Sequence, residues 1–276
     1  MKKIICPVDF SKASINAVEY AEKLTQIFAG ELLFINVQRI IPVAETASLS
    51  EGFITNEKEN SIVAADRLKA LCMDAIKKYN ISATYAVEVS TKSLAKNLAS
   101  FDADDAMIVM GTNGADEIYQ YFFGTDTFHV LKSAKCPVLV IPENYSYRNI
   151  KKIVFAWDYS SKSKFSFSFM VDFMKAFNPQ FIFLHVSKHH TEISLDVFRA
   201  LRSEIESVLG KDNRVEFEQI FSDNIPESIN EYMIESNADV LSITYYNRGL
   251  IPDLFHGTVA KELSEIAEYP ILVLHA

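Results

Sequence analysis

The chain has 276 residues, of which 49% are hydrophobic and 23% are charged, a balance typical of folded globular proteins rather than disordered chains. The formal net charge of -9 argues against a nucleic-acid-binding surface, because phosphate backbones require clustered Lys and Arg, and no such run occurs. The length is sufficient for two domains that each bury a core, so we expect two globular domains that bind no nucleic acid.

The amino-terminal segment and the cysteines bear on localisation. Only a brief apolar stretch follows Lys2 and Lys3 before Asp9, so we predict neither a signal peptide nor a membrane span. We therefore expect a cytoplasmic protein without a membrane partner. The cysteines are odd in number and lack metal-ligand spacing, which favours buried free thiols in a reducing compartment, at Cys6, Cys72 and Cys136.

Short apolar runs alternate with helical periods through the first half, a pattern typical of parallel strands covered on both faces. A helix is predicted over residues 15–28, with Ser11 or Ser14 as its amino-terminal cap and Gly30 as its stop. Apolar and polar residues alternate over 85–89, which predicts a half-exposed edge strand. The nearly continuous apolar runs that we interpret as the other strands are 4–8, 32–37, 107–110 and 138–141.

Two polar segments of the first half are predicted to be surface loops. Residues 44–60 lack a counterpart of similar length in the second half, and the alternatives to a plain loop are a lid or a contact surface. Three acids precede the fourth strand and are interpreted as a solvated loop rather than a catalytic pair, at Asp102, Asp104 and Asp105.

A glycine motif lies between the fourth predicted strand and a helix predicted to open at Thr125. Three of the eight glycines of the chain fall there, at Gly111, Gly114 and Gly124. Glycine lets backbone N–H groups approach an anion, and a helix amino terminus adds the positive end of its dipole. The motif therefore indicates a phosphate-binding loop, and the alternative is a turn, a flexible loop and a helix cap without a ligand.

The second half repeats the pattern of the first. The polar stretch 142–150 carries no apolar period, so we predict domains at residues 1–147 and 148–276. Three matches at the start, middle and end of each half indicate the repeat: 4–11 with 153–160, 124–125 with 257–258, and 136–140 with 269–273.

Five strands per half, with the third at an edge, predict an α/β fold of two tandem doubly wound parallel sheets. The flavodoxin-like strand order 3-2-1-4-5 satisfies right-handed crossovers. Strands 1 and 4 then flank the point where such sheets bind ligands, so the loops that begin at Asp9 and Gly111 are expected to meet there.

The glycine motif has a family resemblance. Gly-x2-Gly-x9-Gly-Thr from Gly111, with apolar residues 108–110 before it and 130–141 after it, resembles the ATP-binding signature of the universal stress protein family. Residues 3–11 are similar to the first strand of that family, whose terminal Asp borders the nucleoside. The resemblance implies an adenine nucleotide alpha hydrolase-like fold in a regulatory stress-response protein that binds ATP or a related adenine nucleotide, or an ATP-independent relative.

The same resemblance assigns site residues. It implies adenosine near Pro7, Val8, Asp9 and Val37. Asp126 departs from the uncharged residue common in the family and would repel a triphosphate unless Mg²⁺ or Mn²⁺ bridges the two. The phosphates are expected at the loop and the helix that follows it, at Gly111, Thr112, Asn113, Gly114, Gly124, Thr125 and Thr127.

The second half departs from this pattern. Thr244 and Asn247 stand where the first half has Gly111 and Gly114, so side chains occupy the space that phosphate oxygens need. We predict a degenerate partner domain, and the resemblance implies that the final strands, 138–141 and 271–274, pair the halves within one chain. Four aromatic residues are either core and rim residues or fill the adenosine slot: Trp157, Tyr159, Tyr245 and Tyr246.

Catalytic and metal signals are weak. No P-loop lysine or nucleophile elbow occurs, so we assign no catalytic residue and expect binding without appreciable turnover. The alternatives are a slow metal-dependent nucleotide hydrolase that uses Asp9 or Asp126, and an interaction protein, or homodimer, that works through protein partners. We assign no metal site, and we interpret three histidines near a strand end as exposed loop residues: His185, His189 and His190.

Overall fold

The computed structural model describes residues 1–40, 50–101, 105–112, 125–157, 167–188, 195–210, 214–245 and 268–275. Within them the chain forms two compact units. The first contains residues 1–111 and 125–138, and the second contains Thr112 and the described residues from 139 onward. The predicted domain boundary near residue 148 stays a prediction.

The first half contains five strands in the order β3-β2-β1-β4-β5. The pairs β1–β2, β1–β4 and β2–β3 are parallel. In chain order the elements are β1 (Lys3–Pro7), α1 (Lys12–Phe28), β2 (Glu31–Arg39), α2 (Ser50–Tyr79), β3 (Ser82–Ser90), α3 (Leu94–Leu98), β4 (Ala106–Thr112), α4 (Thr125–Ser133) and β5 (Val138–Pro142).

The second half repeats this architecture in the order β8-β7-β6-β9-β10. Its described pairs are also parallel. The predicted order 3-2-1-4-5 is therefore confirmed in both halves. The elements are β6 (Lys152–Ala156), α5 (Phe167–Phe177), β7 (Gln180–Ser187), α6 (Leu195–Leu209), β8 (Val215–Phe221), α7 (Ile225–Glu235), β9 (Val240–Tyr245) and β10 (Ile271–His275).

Burial along the strands follows the sequence patterns. The continuous apolar runs of β1, β2 and β4 are buried, whereas the edge strand β3 exposes 41% of Tyr85 and 42% of Val89. Cys6, Cys72 and Cys136 are free and buried, as predicted. The cores therefore lie between each sheet and its helices, because apolar residues leave water there.

The capping of α1 is partly as predicted. Ser11 is the amino-terminal cap, and its hydroxyl accepts a hydrogen bond from the Ser14 N–H at 3.2 Å. At the other end Ala29, not Gly30, takes the left-handed conformation, with φ 49°. The prediction of Gly30 as the stop is therefore wrong by one residue. Glycine is needed at position 30 for another reason, because an added Cβ would lie 2.9 Å from the Lys2 carbonyl oxygen.

Ala29 is an unfavourable residue for its conformation. A left-handed residue with a Cβ is strained, and Asn tolerates this region better than Ala. The second half has Asn178 at the same place after α5, with φ 43°. Ala29→Asn is therefore expected to raise the free energy of unfolding by roughly 0.5–1 kcal/mol in urea denaturation. Ala29→Val serves as the control and should destabilise, and an Asn variant no more stable than the parent would contradict the account.

Residues 50–60 are helical rather than part of a surface loop. Helix α2 begins at Ser50, so the loop prediction for 44–60 is wrong over residues 50–60, while 44–49 lie outside the described residues. The reason is that polarity without an apolar period occurs in helices as well as in loops. Although α2 has 30 residues, no described helix is long and apolar enough to cross a membrane.

Candidate functional site

The carboxyl ends of three strands meet at one edge of the first unit. Parallel pairing sets Lys3 of β1 against Ala106 of β4 and Pro7 against Ile35 of β2. Val37 lies two residues beyond Ile35 on β2, and Gly111 lies near the end of β4. The predicted residues Pro7, Val8, Asp9, Val37 and Gly111 are thus brought to the same edge, which is where open α/β sheets bind ligands.

Val8 is fixed at this edge by two hydrogen bonds. Its N–H donates to the Ile35 carbonyl at 2.8 Å, and its carbonyl accepts from Nδ2 of Asn36 at 2.7 Å. Asn36 is 7% exposed, and its Oδ1 has no hydrogen-bond partner among the described residues. Sequence reasoning missed Asn36, although a single amide inside the apolar run 32–37 is a usable signal, since buried polar groups require partners.

Asp9 serves as a turn acceptor. Its Oδ1 accepts hydrogen bonds from the N–H of Ser11 at 2.9 Å and from the hydroxyl of Ser11 at 2.6 Å. Partial burial acts to raise the pKa of Asp9, but hydrogen bonds from Ser11, Ser14 and backbone N–H groups outweigh it, so the pKa lies below its usual range. Asp9 is therefore ionised at neutral pH and orients the cap of α1, while its binding role stays a prediction.

The residue after Asp9 has an unusual backbone. Phe10 has φ 66°, a left-handed conformation that a bulky residue rarely adopts. The guanidinium of Arg67, on α2, lies 3.8 Å from the centroid of the Phe10 ring. Strained residues of this kind cluster at ligand sites, and this one turns the chain so that Ser11 can cap α1. Neither Phe10 nor Arg67 was identified from the sequence.

Gly111 is in contact with the first turn of α1. A Cβ added to it would lie 2.2 Å from the carbonyl oxygen of Ala13 and 2.8 Å from the Ser14 nitrogen. Both distances are too short for a Cβ atom. The glycine thus allows α1 to pack directly on β4. This packing accounts for Gly111 without a ligand, a reason that the sequence interpretation did not include.

The predicted helix after the glycine motif begins as expected. Helix α4 opens at Thr125, with Asp126 exposed in its first turn and Thr127 buried at 5% exposure. The carboxylate of Asp126 and a bound anion would compete for the positive end of the same helix dipole. Thr112 is half-buried at the end of β4, and its carbonyl accepts the Glu143 N–H at 2.9 Å. Asn113, Gly114 and Gly124 lie outside the described residues.

The second half uses a similar arrangement after β6. The Trp157 N–H donates to the Leu184 carbonyl at 2.8 Å, and the Trp157 carbonyl is 2.8 Å from Nδ1 of His185. Trp157 and His185 therefore occupy the positions of Val8 and Asn36. The prediction that His185 is an exposed loop residue is wrong, because it is 1% exposed within β7.

Histidines and acids form no metal site in the part of the chain that the structure describes. No group of three or more His, Cys, Asp or Glu among these residues is arranged to hold a metal ion. Asp105 is exposed, in line with a solvated loop, and its backbone carbonyl accepts the N–H of Lys2 at 2.9 Å. Four of the predicted residues lie outside the described ranges: Asp102, Asp104, His189 and His190.

The described aromatic residues of the second half are core and rim residues. Trp157 is 7% exposed and packs on Phe183 at 6.2 Å and on Phe198 at 6.4 Å between ring centroids. Tyr245 is half-buried at the end of β9, beside the ring of His275. Thr244, which replaces the glycine, is 8% exposed. Five of the predicted residues lie outside the described ranges: Tyr159, Tyr246, Asn247, Gly257 and Thr258.

A family profile matches the part of the chain that contains this edge. The profile is that of the universal stress protein family, and it matches residues 1–142. The chain belongs to the universal stress protein family. This universal stress protein is also 29% identical over 150 residues to universal stress protein MJ0531 from Methanocaldococcus jannaschii. The match covers 51% of this chain and 81% of the relative.

Two solved structures share the fold of this universal stress protein over nearly its whole chain. A universal stress protein from Archaeoglobus fulgidus covers 99% of this chain and 98% of its own length, with a TM-score of 0.73 and 16% identity. The functionally unknown protein PA1789 from Pseudomonas aeruginosa covers 100% of this chain and 92% of its own, with a TM-score of 0.55 and 13% identity. The family resemblance and the α/β fold predicted from the sequence are both confirmed.

Proposed function

We propose that this universal stress protein binds ATP or a related adenine nucleotide with its first half and acts in stress adaptation by regulation rather than by catalysis. The observation that carries the proposal is the convergence of the strained Asp9–Phe10 turn, at the carboxyl end of β1, with the carboxyl end of β4, where the glycine motif of the sequence begins. Membership of the family supports the proposal, because the glycine motif of this chain falls within the matched residues.

The residues at this edge suit the parts of an adenine nucleotide. The half-buried Val37 offers apolar surface to a base, and the ionised carboxylate of Asp9 accepts hydrogen bonds, as ribose hydroxyls require. In this proposal the phosphates lie at the amino terminus of helix α4, whose dipole favours an anion there. Asp126 in its first turn opposes that charge, so Mg²⁺ or Mn²⁺ between Asp126 and the phosphates is expected to strengthen binding.

The same residues are poorly suited to hydrolysis. A carboxylate whose pKa lies below its usual range, as for Asp9, is a weak general base. The sequence has no P-loop lysine to stabilise charge on the transferring phosphate. The nucleotide is therefore bound and released without appreciable chemical change, and its occupancy serves as the regulatory signal.

ATP is expected to raise the Tm of the purified chain and to be recovered unchanged. A ligand at 100 times its Kd adds about 2.7 kcal/mol of stability, so thermal unfolding with and without 5 mM ATP and Mg²⁺ measures binding. Mass spectrometry of the same sample after overnight incubation measures turnover. GTP at the same concentration is the matched control for recognition of the adenine base.

The alternatives give different results in that experiment. If the chain retains no adenylate and ATP does not stabilise it, the result would favour an interaction protein that works through partners. Several turnovers per minute, lost in a folded Asp9→Ala or Asp126→Ala variant, would instead identify a metal-dependent nucleotide hydrolase.

A further inference from the structure

A groove between α1 and α2 of the first unit combines apolar side chains with three acidic and two basic ones. Its volume is about 590 Å³, which lies within the range of small-molecule sites. Ile15, Val18 and Leu71 supply its apolar part, and Ile15 is 42% exposed although it lies on the same helix as the buried Val18. Glu19, Glu22 and Asp74 supply its acidic part.

Glu22 is the unusual member of this groove. Its side chain lines the cavity, yet the residue is only 7% exposed. Among the described residues Glu22 makes neither a hydrogen bond nor an ion pair within 4.0 Å. The Glu22 carboxylate reaches the groove but is largely shielded from water, and an ionised carboxylate in that position without a partner is unfavourable, so a group that supplies a positive charge would be well accommodated there.

The cations nearest to Glu22 make other contacts. The ammonium groups of Lys23, on α1, and Lys78, on α2, lie 4.7 Å and 4.9 Å from the centroid of the Tyr79 ring. Cys6 of β1 also faces Glu22, and burial followed by the charge of Glu22 raises the pKa of that thiol, so Cys6 stays neutral. Lys77 and Lys78 both line the groove.

The protonation of Glu22 responds to these neighbours. Burial is the largest cause that raises the pKa of Glu22, the charges of Glu19 and Asp74 also raise it, and those of Lys78 and Lys23 oppose the rise, which leaves the pKa at about 7. Glu22 is therefore largely protonated at pH 6 and largely ionised at pH 8. A cation that pairs with Glu22 is expected to bind more tightly as the pH rises.

We propose that this groove is a second ligand site, separate from the nucleotide edge, that takes a protonated aliphatic amine. The ammonium group pairs with the Glu22 carboxylate, and the alkyl chain lies on Ile15, Val18 and Leu71. A second ammonium at the far end of a diamine meets Glu19 or Asp74 at the acidic rim. The site thus recognises a charged end joined to an apolar chain, which neither a metal ion nor a neutral alcohol provides.

Calorimetric titration with 1,4-diaminobutane at pH 8 tests this site, with 1,4-butanediol as the uncharged control. The diamine is expected to bind and the diol is not. Glu22→Gln keeps the shape of the side chain but removes its charge, and it should weaken diamine binding at least tenfold. Glu235→Gln, an exposed change on α7, should leave binding unaltered. Lowering the pH from 8 to 6 should weaken binding about tenfold, because the ionised fraction of a carboxyl with a pKa of about 7 falls by that factor.

Thermal unfolding of the same variants shows whether each is still folded, so that weaker diamine binding is not mistaken for a folding defect. Glu22→Gln should raise the Tm at pH 8, and the gain should shrink as the pH falls from 7 towards 4.5, where the parent carboxyl is protonated in the folded state. Asp74→Asn, at an exposed position, should weaken diamine binding several-fold without a change in Tm. Equal binding of the diol, no binding of 10 mM diamine, or undiminished binding by Glu22→Gln would each overturn the proposal.

Discussion

Gly111→Ala is expected to lower the free energy of unfolding by about 3 kcal/mol or more, the upper range for overpacking. The added Cβ would lie 2.2 Å from the Ala13 carbonyl oxygen, and that neighbour is backbone in the first turn of α1. Since backbone cannot rotate away as a side chain does, α1 must move off β4. The buried contacts of the helix with the sheet weaken as a consequence.

Gly30→Ala provides the matched control, since it is the same chemical change beside another backbone carbonyl. There the added Cβ would lie 2.9 Å from the Lys2 oxygen, so a smaller shift relieves the contact. We expect a loss of about 1 kcal/mol, measured for both variants by urea denaturation with a common slope. Equal losses for the two variants, or a Gly111 variant within 0.5 kcal/mol of the parent, would contradict the packing of α1 on Gly111.

Gly114→Val is expected to weaken ATP binding at least tenfold while the protein stays folded. A branched side chain in the predicted loop would occupy space next to the phosphates and would be strained if the residue has positive φ. The corresponding change in the second half, Asn247→Val, should leave both affinity and stoichiometry unaltered. The reason is that Thr244 and Asn247 stand where the first half has Gly111 and Gly114, and we infer that they close this site together with the neighbouring aromatic residues.

Titration calorimetry of the two variants beside the parent distinguishes the halves. Circular dichroism of each variant shows whether the fold survives, so lost binding is not confused with lost structure. Weakened binding for Asn247→Val with normal binding for Gly114→Val would assign the nucleotide to the second half, against our prediction.

The strand order was predictable because burial leaves a direct trace in the sequence. Continuous apolar runs identified the strands covered on both faces, and the alternation over 85–89 identified the edge strand β3. The repeat of these patterns after residue 150 was sufficient to predict the second sheet. The cap at Ser11 and the start of α4 at Thr125 were predictable from local chemistry alone.

The candidate site was predictable only in outline, because its details depend on contacts between distant residues. The approach of Gly111 to Ala13 joins positions nearly a hundred residues apart, and no periodicity encodes it. The bond from Asn36 to the Val8 carbonyl and its counterpart at His185 require the register of two strands. The pairing of the two halves through residues 138–141 and 271–274, and the homodimer alternative, stay predictions.

The stoichiometry of nucleotide binding tests the central claim most directly. Titration of the purified, nucleotide-free chain with ATP and Mg²⁺ should give one site per chain, because only the first half keeps the three motif glycines. Two equivalent sites would contradict the assignment of a degenerate second half, and the absence of any saturable binding would contradict the proposed function itself.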